Sequence, residues 1–226
     1  MFAIGKETYL ASRAPWLYFT HETMHAQGLM GHAPQWPYIF GLMNNEYSAS
    51  HNLNAWDSLV LGWSSTQDTY CKELKKLTPI TITLAPIERE QLGIKSVLIK
   101  LSESKILAIE SHRVDKWSPQ QIPGLYGVTA YVVNMGVDNR SNVVEPFATY
   151  LKLNDANHGV SPLRGKPIPG FENFGTYLID GVGVASGGST DLNVMMYLGE
   201  NLIYEGVKIS LISSGDNDTV KIEKTP

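Results

Sequence analysis

The sequence predicts an α+β chain in which a helix-bearing N-terminal part leads into an antiparallel, sandwich-like β-rich module. Three observations point there. Residues 14–27 read as one helix, an apolar run with a proline near its start followed by two histidines four positions apart. From about residue 78 the period becomes two, as in Ile80-Thr81-Ile82-Thr83-Leu84. Turn-forming clusters then separate many short apolar runs, the pattern of a sandwich or barrel-like antiparallel unit. The expected division falls between residues 1–75, which carry the helices, and residues 76–226, which carry the strands.

Each element has its own warrant. The first helix begins near Pro15, a residue suited to a helix's first turn, in the apolar run Pro15-Trp16-Leu17-Tyr18-Phe19-Thr20. Residues 28–52 are rich in Gly, Pro, Asn and Ser with aromatics between them, and read as an ordered loop. Residues 53–61 form a short helix, with Asn52 or Asn54 able to cap it. Strands follow at 80–84, 97–101 and 106–109, the last two joined through Ser102-Glu103-Ser104-Lys105. Further strands are expected at 129–133, 147–153, 176–179, 194–198, 202–204, 207–212 and 219–222. Turn residues at Gly199-Glu200-Asn201 and Gly215-Asp216-Asn217-Asp218 separate the last of these. Alternation from Tyr204 to Ile222 predicts one wet face.

Composition narrows the function. The formal net charge is −4 and the basic residues are scattered, which gives no footprint for nucleic acid. No apolar stretch is long enough to be a transmembrane segment. The one cysteine, Cys71, excludes an internal disulfide and the several-thiolate zinc folds.

The residues that carry chemistry lie on the first helix. His21-Glu22-Thr23-Met24-His25 is H-E-x-x-H, followed by Gly28 and then His32. Histidines four apart on a helix project from one face, about one turn apart, as two nitrogen ligands of a tetrahedral zinc require. Gly28 can end the helix in a left-handed conformation, so that the chain turns back to deliver a third ligand. His32 is the favoured third ligand and His51 the alternative. Glu22 stands next to the first ligand, placed as a general base. Three protein ligands leave a fourth position for water, the arrangement of a catalytic site.

The chain resembles the immune inhibitor A-type, metzincin-like family of secreted bacterial zinc metallopeptidases. Beyond the zinc motif the resemblance runs through Tyr38–Asn45, Leu53–Trp56, Leu61–Trp63, Thr83–Glu88, Ala108–Arg113 and Gly127–Val133, in the family's order, over roughly residues 17–135. Gly31 stands where the extended metzincin pattern has its third histidine, with His32 one place later, and Gly41 stands where the family often has aspartate. The resemblance implies that Met43 forms the structural methionine turn under the metal. Residues 1–75 would then be the zinc helix, methionine turn and following helix of the lower half of a catalytic domain. It implies a Zn2+-dependent endopeptidase acting on a protein or peptide substrate, a secreted location, and a Ca2+ site that it does not place. The acidic turns at 215–218 and 138–140 lack the ligand spacing of an EF-hand, and the first reads as a plain hairpin turn. Tyr38 or Tyr47 could donate to an oxyanion, and packing explains either equally well.

Two rival expectations stand beside this one. Only twenty residues precede His21, and Met1–Glu7 is not a secretory signal. Peptidases of this type place an upper subdomain before the zinc helix, so a fragment of a longer exported protein is expected, with a shortened relative as the alternative. In that alternative the chain is catalytically degenerate, a zinc-binding or metal-free β-rich accessory module. A weaker rival is a structural sandwich with an accidental motif. Glu110 and Arg113 read as an exposed charge pair on a strand, without a catalytic role.

Overall fold

The computed structural model describes residues 2–4, 7–9, 16–27, 29, 38–39, 42–43, 52–113, 126–135, 160–162, 166–167, 177–178, 184–185 and 192–225. In chain order the elements are β1 (Phe2–Ile4), β2 (Glu7–Tyr9), α1 (Trp16–Ala26), β3 (Tyr38–Ile39), α2 (Ala55–Val60), β4 (Thr69–Glu73), β5 (Ile80–Leu84), β6 (Ser96–Lys100), β7 (Lys105–His112) and β8 (Gly127–Asn134). Then come β9 (Val160–Pro162), β10 (Lys166–Pro167), β11 (Tyr177–Leu178), β12 (Val184–Ala185), β13 (Leu192–Asn193), β14 (Asn201–Tyr204), β15 (Val207–Ser214) and β16 (Asp218–Lys224). The fold is a β-rich mixture of α and β built on two mostly antiparallel sheets.

One sheet has the order β14-β15-β16-β5 and the other β4-β6-β7-β8-β9. Both strong apolar alternations face inward. Ile82, Leu84, Val207, Ile209, Leu211, Val220 and Ile222 from the first sheet share a core with Val97, Ile99, Leu107, Ile109, Val128 and Ala130 from the second. This is a sandwich. The alternating exposure of β15 and β16 leaves the outer face of the first sheet wet, as expected.

The central strands of the second sheet are buried on both faces, because α2 and the segment 194–195 cover the outside of β6, β7 and β8 at Leu98, Ala108, Tyr131 and Val133. Asn54 caps α2 by accepting the Asp57 N–H at 2.8 Å. Two expectations are corrected here. The β module is not wholly antiparallel, since β4 pairs with β6 in parallel. A parallel pair needs a long crossover, and β5 supplies it by passing through the opposite sheet. The strand expected at 194–198 is reduced to an isolated bridge between Met196 and Val128, because this segment closes the edge of β8.

The helix α1 is held by a third, smaller cluster. Leu17 and Met24 meet Leu29, Leu42, Met43 and Leu53, with Leu61 beside them. The N–H of Leu29 donates to the Met24 carbonyl at 3.1 Å, the six-to-one bond of a Schellman helix end. Gly28 itself, most of the loop 28–52, and the strand expected at 147–153 lie outside the described residues. Among the described residues no helix is long and apolar enough to cross a membrane.

Candidate metal centre

On α1 the buried stripe runs through Leu17, His21 and Met24, so hydrophobic burial draws His21 inward with its neighbours. Glu22 is buried beside it, and His25 is half-buried one turn on. His21 Nδ1 lies 2.9 Å from the carbonyl oxygen of Leu42, and His25 Nδ1 lies 2.6 Å from that of Leu29. A carbonyl oxygen only accepts, so both histidines carry their proton on Nδ1. In each neutral ring Nε2 is then a lone-pair donor.

The two Nε2 atoms face each other at 3.1 Å, with the rings nearly perpendicular at 83°. With both rings neutral, lone pairs this close repel unless a cation lies against both, either a metal ion or a proton shared between the two nitrogens. Two nitrogens on one tetrahedral zinc stand about 3.3 Å apart, from Zn–N bonds near 2.05 Å. The two nitrogens therefore fit two positions of a tetrahedral zinc in atom type, tautomer and spacing. Burial holds the His25 pKa below its ordinary value, and the nearby His21 adds to this, against the opposing pull of the Leu29 carbonyl and Glu22. That favours the neutral form which binds metal.

The remaining site residues are placed unevenly. Met43 is 1% exposed, within the α1 cluster and next in sequence to the residue whose carbonyl holds His21. His32, His51 and Tyr47 lie outside the described residues, as do Gly31, Gly41 and residues 138–140. Of Tyr38 the structure gives the backbone, paired in β3 with Leu192 of β13. Among the described residues no three His, Cys, Asp or Glu side chains form one ligand group. The turn at 215–218 is the β15–β16 hairpin, and the Asp218 carboxylate is taken by Arg113 and Ser111.

A cleft of about 460 Å³ opens beside α1, lined among others by Trp16, Thr20, Leu42, Ser58 and Trp63. Thr20 and His25 are five positions apart, about 140° around the helix. The cleft thus flanks the histidine pair without containing it.

The sequence reading missed a buried polar network under α2. Glu110 was expected to be exposed, yet it is fully buried. Its Oε2 accepts the Ala55 N–H at 2.7 Å and the Tyr131 hydroxyl at 2.8 Å, and its Oε1 accepts His112 Nε2–H at 2.7 Å. His112 Nδ1–H donates to Glu88 at 2.7 Å. Burial pulls the His112 pKa down, but the charge of Glu88, the hydrogen bonds that His112 donates to both carboxylates and the charge of Glu110 outweigh it and raise it to about 10. Arg113, the other residue read as exposed, forks onto Asp218 with only a tenth of its side chain exposed. The correction follows from α2, which covers the face that Glu110 shares with Ile106 and Ala108. Strand alternation shows that these residues share a face, but not that a helix lies over it.

Comparison with protein-family models, with curated proteins and with solved structures found no match.

Proposed function

We propose that this chain carries the metal-binding part of a zinc-dependent endopeptidase, with His21, His25 and His32 as ligands and Glu22 as general base. The observation that carries the reading is the pair of Nε2 atoms facing each other at 3.1 Å, each ring locked by a carbonyl in the tautomer a metal needs. The buried carboxyl of Glu22 beside His21 supports the second assignment. The early resemblance to secreted metallopeptidases supports the reaction class and an extracellular site of action.

The chemistry of the chain's own groups follows. Bound zinc supplies Lewis acidity, which acidifies a water and polarises the scissile carbonyl. Glu22 accepts one proton from water as the water oxygen bonds to the carbonyl carbon. As the C–N bond breaks, Glu22 returns that proton to the leaving nitrogen, and the second water proton, left on the new hydroxyl, passes to the amine, giving a carboxylate and an ammonium product. His21 and His25 keep their Nδ1 protons on Leu42 and Leu29 throughout and so remain neutral donors. Met43 and its apolar neighbours exclude water beneath the helix.

The test is zinc stoichiometry on the purified chain beside a His21→Ala/His25→Ala double variant, with hydrolysis of an unstructured protein substrate measured in parallel. One tightly held zinc per chain, lost in the variant, is expected, as is a Glu22→Ala protein that keeps zinc but no longer cleaves. A chain without zinc would overturn the reading. A Glu22→Ala variant that loses metal and activity together would overturn the role of Glu22. Zinc without any cleavage by the intact protein would leave the β-rich accessory module as the better description.

A further inference from the structure

A metal ligand is only as well placed as the acceptor that fixes its other nitrogen. For His21 that acceptor is the Leu42 carbonyl. Leu42 is in turn tied down by its own N–H, which donates to the Asn52 carbonyl at 2.9 Å. Two residues on, Asn54 is buried and caps α2, and its Nδ2–H also donates to Asp57 Oδ2 at 2.7 Å. The next two backbone amides end on the large sheet. Ala55 N–H donates to Glu110 Oε2 at 2.7 Å, and Trp56 N–H donates to the Tyr131 hydroxyl at 3.2 Å. Tyr131 itself donates to that same Glu110 oxygen.

Glu110 and Tyr131 are held rigidly. They lie on β7 and β8, the adjoining inner strands of the five-stranded sheet. His112 fixes the second oxygen of Glu110 and is fixed by Glu88, whose other oxygen accepts the Arg113 N–H at 2.9 Å. A continuous line of bonds therefore runs from the sheet through Glu110, α2, residues 52–54 and Leu42 to the imidazole of His21.

We infer that Glu110 is a positioning residue for the metal centre: it anchors the start of α2 to the sheet and thereby sets the Leu42 carbonyl that orients His21. The inference rests on the zinc reading above and extends it to a residue more than one shell away from the metal. A carboxylate suits the task because one oxygen takes two donors while the other stays on His112, and charge-assisted bonds are shorter and stronger than neutral ones. Simple support of the fold is the competing role for Glu110, and it makes a different prediction. Loss of Glu110 would then cost stability without a separate cost in metal affinity.

The experiment measures Zn2+ affinity by chelator competition, and the visible spectrum of the Co2+-loaded protein, for the full chain and four variants. Glu110→Ala is expected to bind zinc at least about tenfold more weakly, the scale of outer-shell losses, with an altered Co2+ spectrum. Glu110→Gln keeps an oxygen for Ala55 and Tyr131 but loses the charge and turns an amide N–H toward His112, and it is expected to recover part of the affinity lost in Glu110→Ala. Tyr131→Phe, the gentler change, is expected to move affinity in the same direction as Glu110→Ala and remains informative if that variant does not fold. Asp218→Asn breaks the buried pair with Arg113 away from α2. It is expected to lower the unfolding midpoint without changing zinc affinity. Wild-type affinity in both Glu110→Ala and Tyr131→Phe would overturn the inference and leave the zinc reading standing. So would an equal loss of affinity in Asp218→Asn. A wild-type chain that binds no zinc would overturn both.

Discussion

Asp57 and His112 are both buried and both feel the charge of Glu110, and each makes stability depend on pH. Burial raises the Asp57 pKa from an ordinary 3.8 to about 7, with the Asn54 hydrogen bond opposing and the charge of Glu110 adding. An acid whose folded pKa is raised contributes stability that is whole below its unfolded pKa and is lost as pH rises through the folded one. Asp57→Asn keeps an oxygen for the Asn54 amide and cannot ionise. Its stability in urea unfolding is expected to match wild type only below about pH 3.8 and to exceed it increasingly up to about pH 7, by a few kcal/mol at most, on the order of 1.4 per pKa unit. The sign for His112 is the same. Its pKa rises from 6.5 to about 10, so its contribution is whole below 6.5 and is lost as pH climbs through 10. Glu88 runs the other way, because the His112 charge and hydrogen bonds lower its pKa despite burial, and its share fades in acid. His112→Ala would leave two buried carboxylates without their cation. It is expected to cost about 3–5 kcal/mol at pH 7 in urea unfolding, and a loss under 1 kcal/mol would mean that the triad is not charged.

Among the elements, β8 is the one whose placement is most tightly specified. Gly127 opens it with φ +140°, and a Cβ there would lie 2.3 Å from the Met196 carbonyl oxygen. That carbonyl belongs to the segment bonded to β8 through Met196 N–H and the Val128 oxygen at 2.6 Å. Gly127→Ala must move backbone, so thermal unfolding is expected to show a loss above about 1 kcal/mol. The strict geometry here was not visible in the sequence, where the strand was expected only at 129–133 and Gly127 lay before it. What was visible followed from strong local period. The helix expected at 14–27 is α1 at Trp16–Ala26, the helix expected at 53–61 is α2 at Ala55–Val60, and Ile80–Leu84 forms β5 as read. The strand β4 escaped because Thr69-Tyr70-Cys71-Lys72-Glu73 has little apolar alternation, as befits a lysine-bearing edge strand. Its partner β6 is chosen by a crossover through the other sheet, which no local window contains. The candidate site divides the same way. Helical spacing exposes His21 and His25, whereas Leu42, Leu29 and Glu110 act through contacts that only tertiary structure creates.

Across the whole molecule, the core is unequal in a way that sets its dynamics. The sandwich core draws on both large sheets, and the central strands β6, β7 and β8 are covered on both faces. Among the described residues, the helix α1 packs on a smaller apolar group, Leu29, Leu42, Met43 and Leu53 with Leu61 beside them. Regions with little buried apolar contact open at lower free energy than the core. Native-state hydrogen exchange should therefore show the amides of β7, β8, β15 and β16 opening only with global unfolding, and those of α1 opening well before them. Metal adds a sharper expectation, because a ligand stabilises only the states that bind it. Zinc at about 100 times its Kd contributes about 2.7 kcal/mol against any opening that breaks the site, roughly a hundredfold slower exchange. The slowing should fall on α1 and on the Leu42 amide, which are lost when the histidine pair separates. It should be absent from any opening confined to the sheet edge at β14, since such a state still holds the metal. Uniform slowing at every amide, β14 included, would mean that α1 and the sandwich open as one unit, and the unequal core would then have no dynamic consequence.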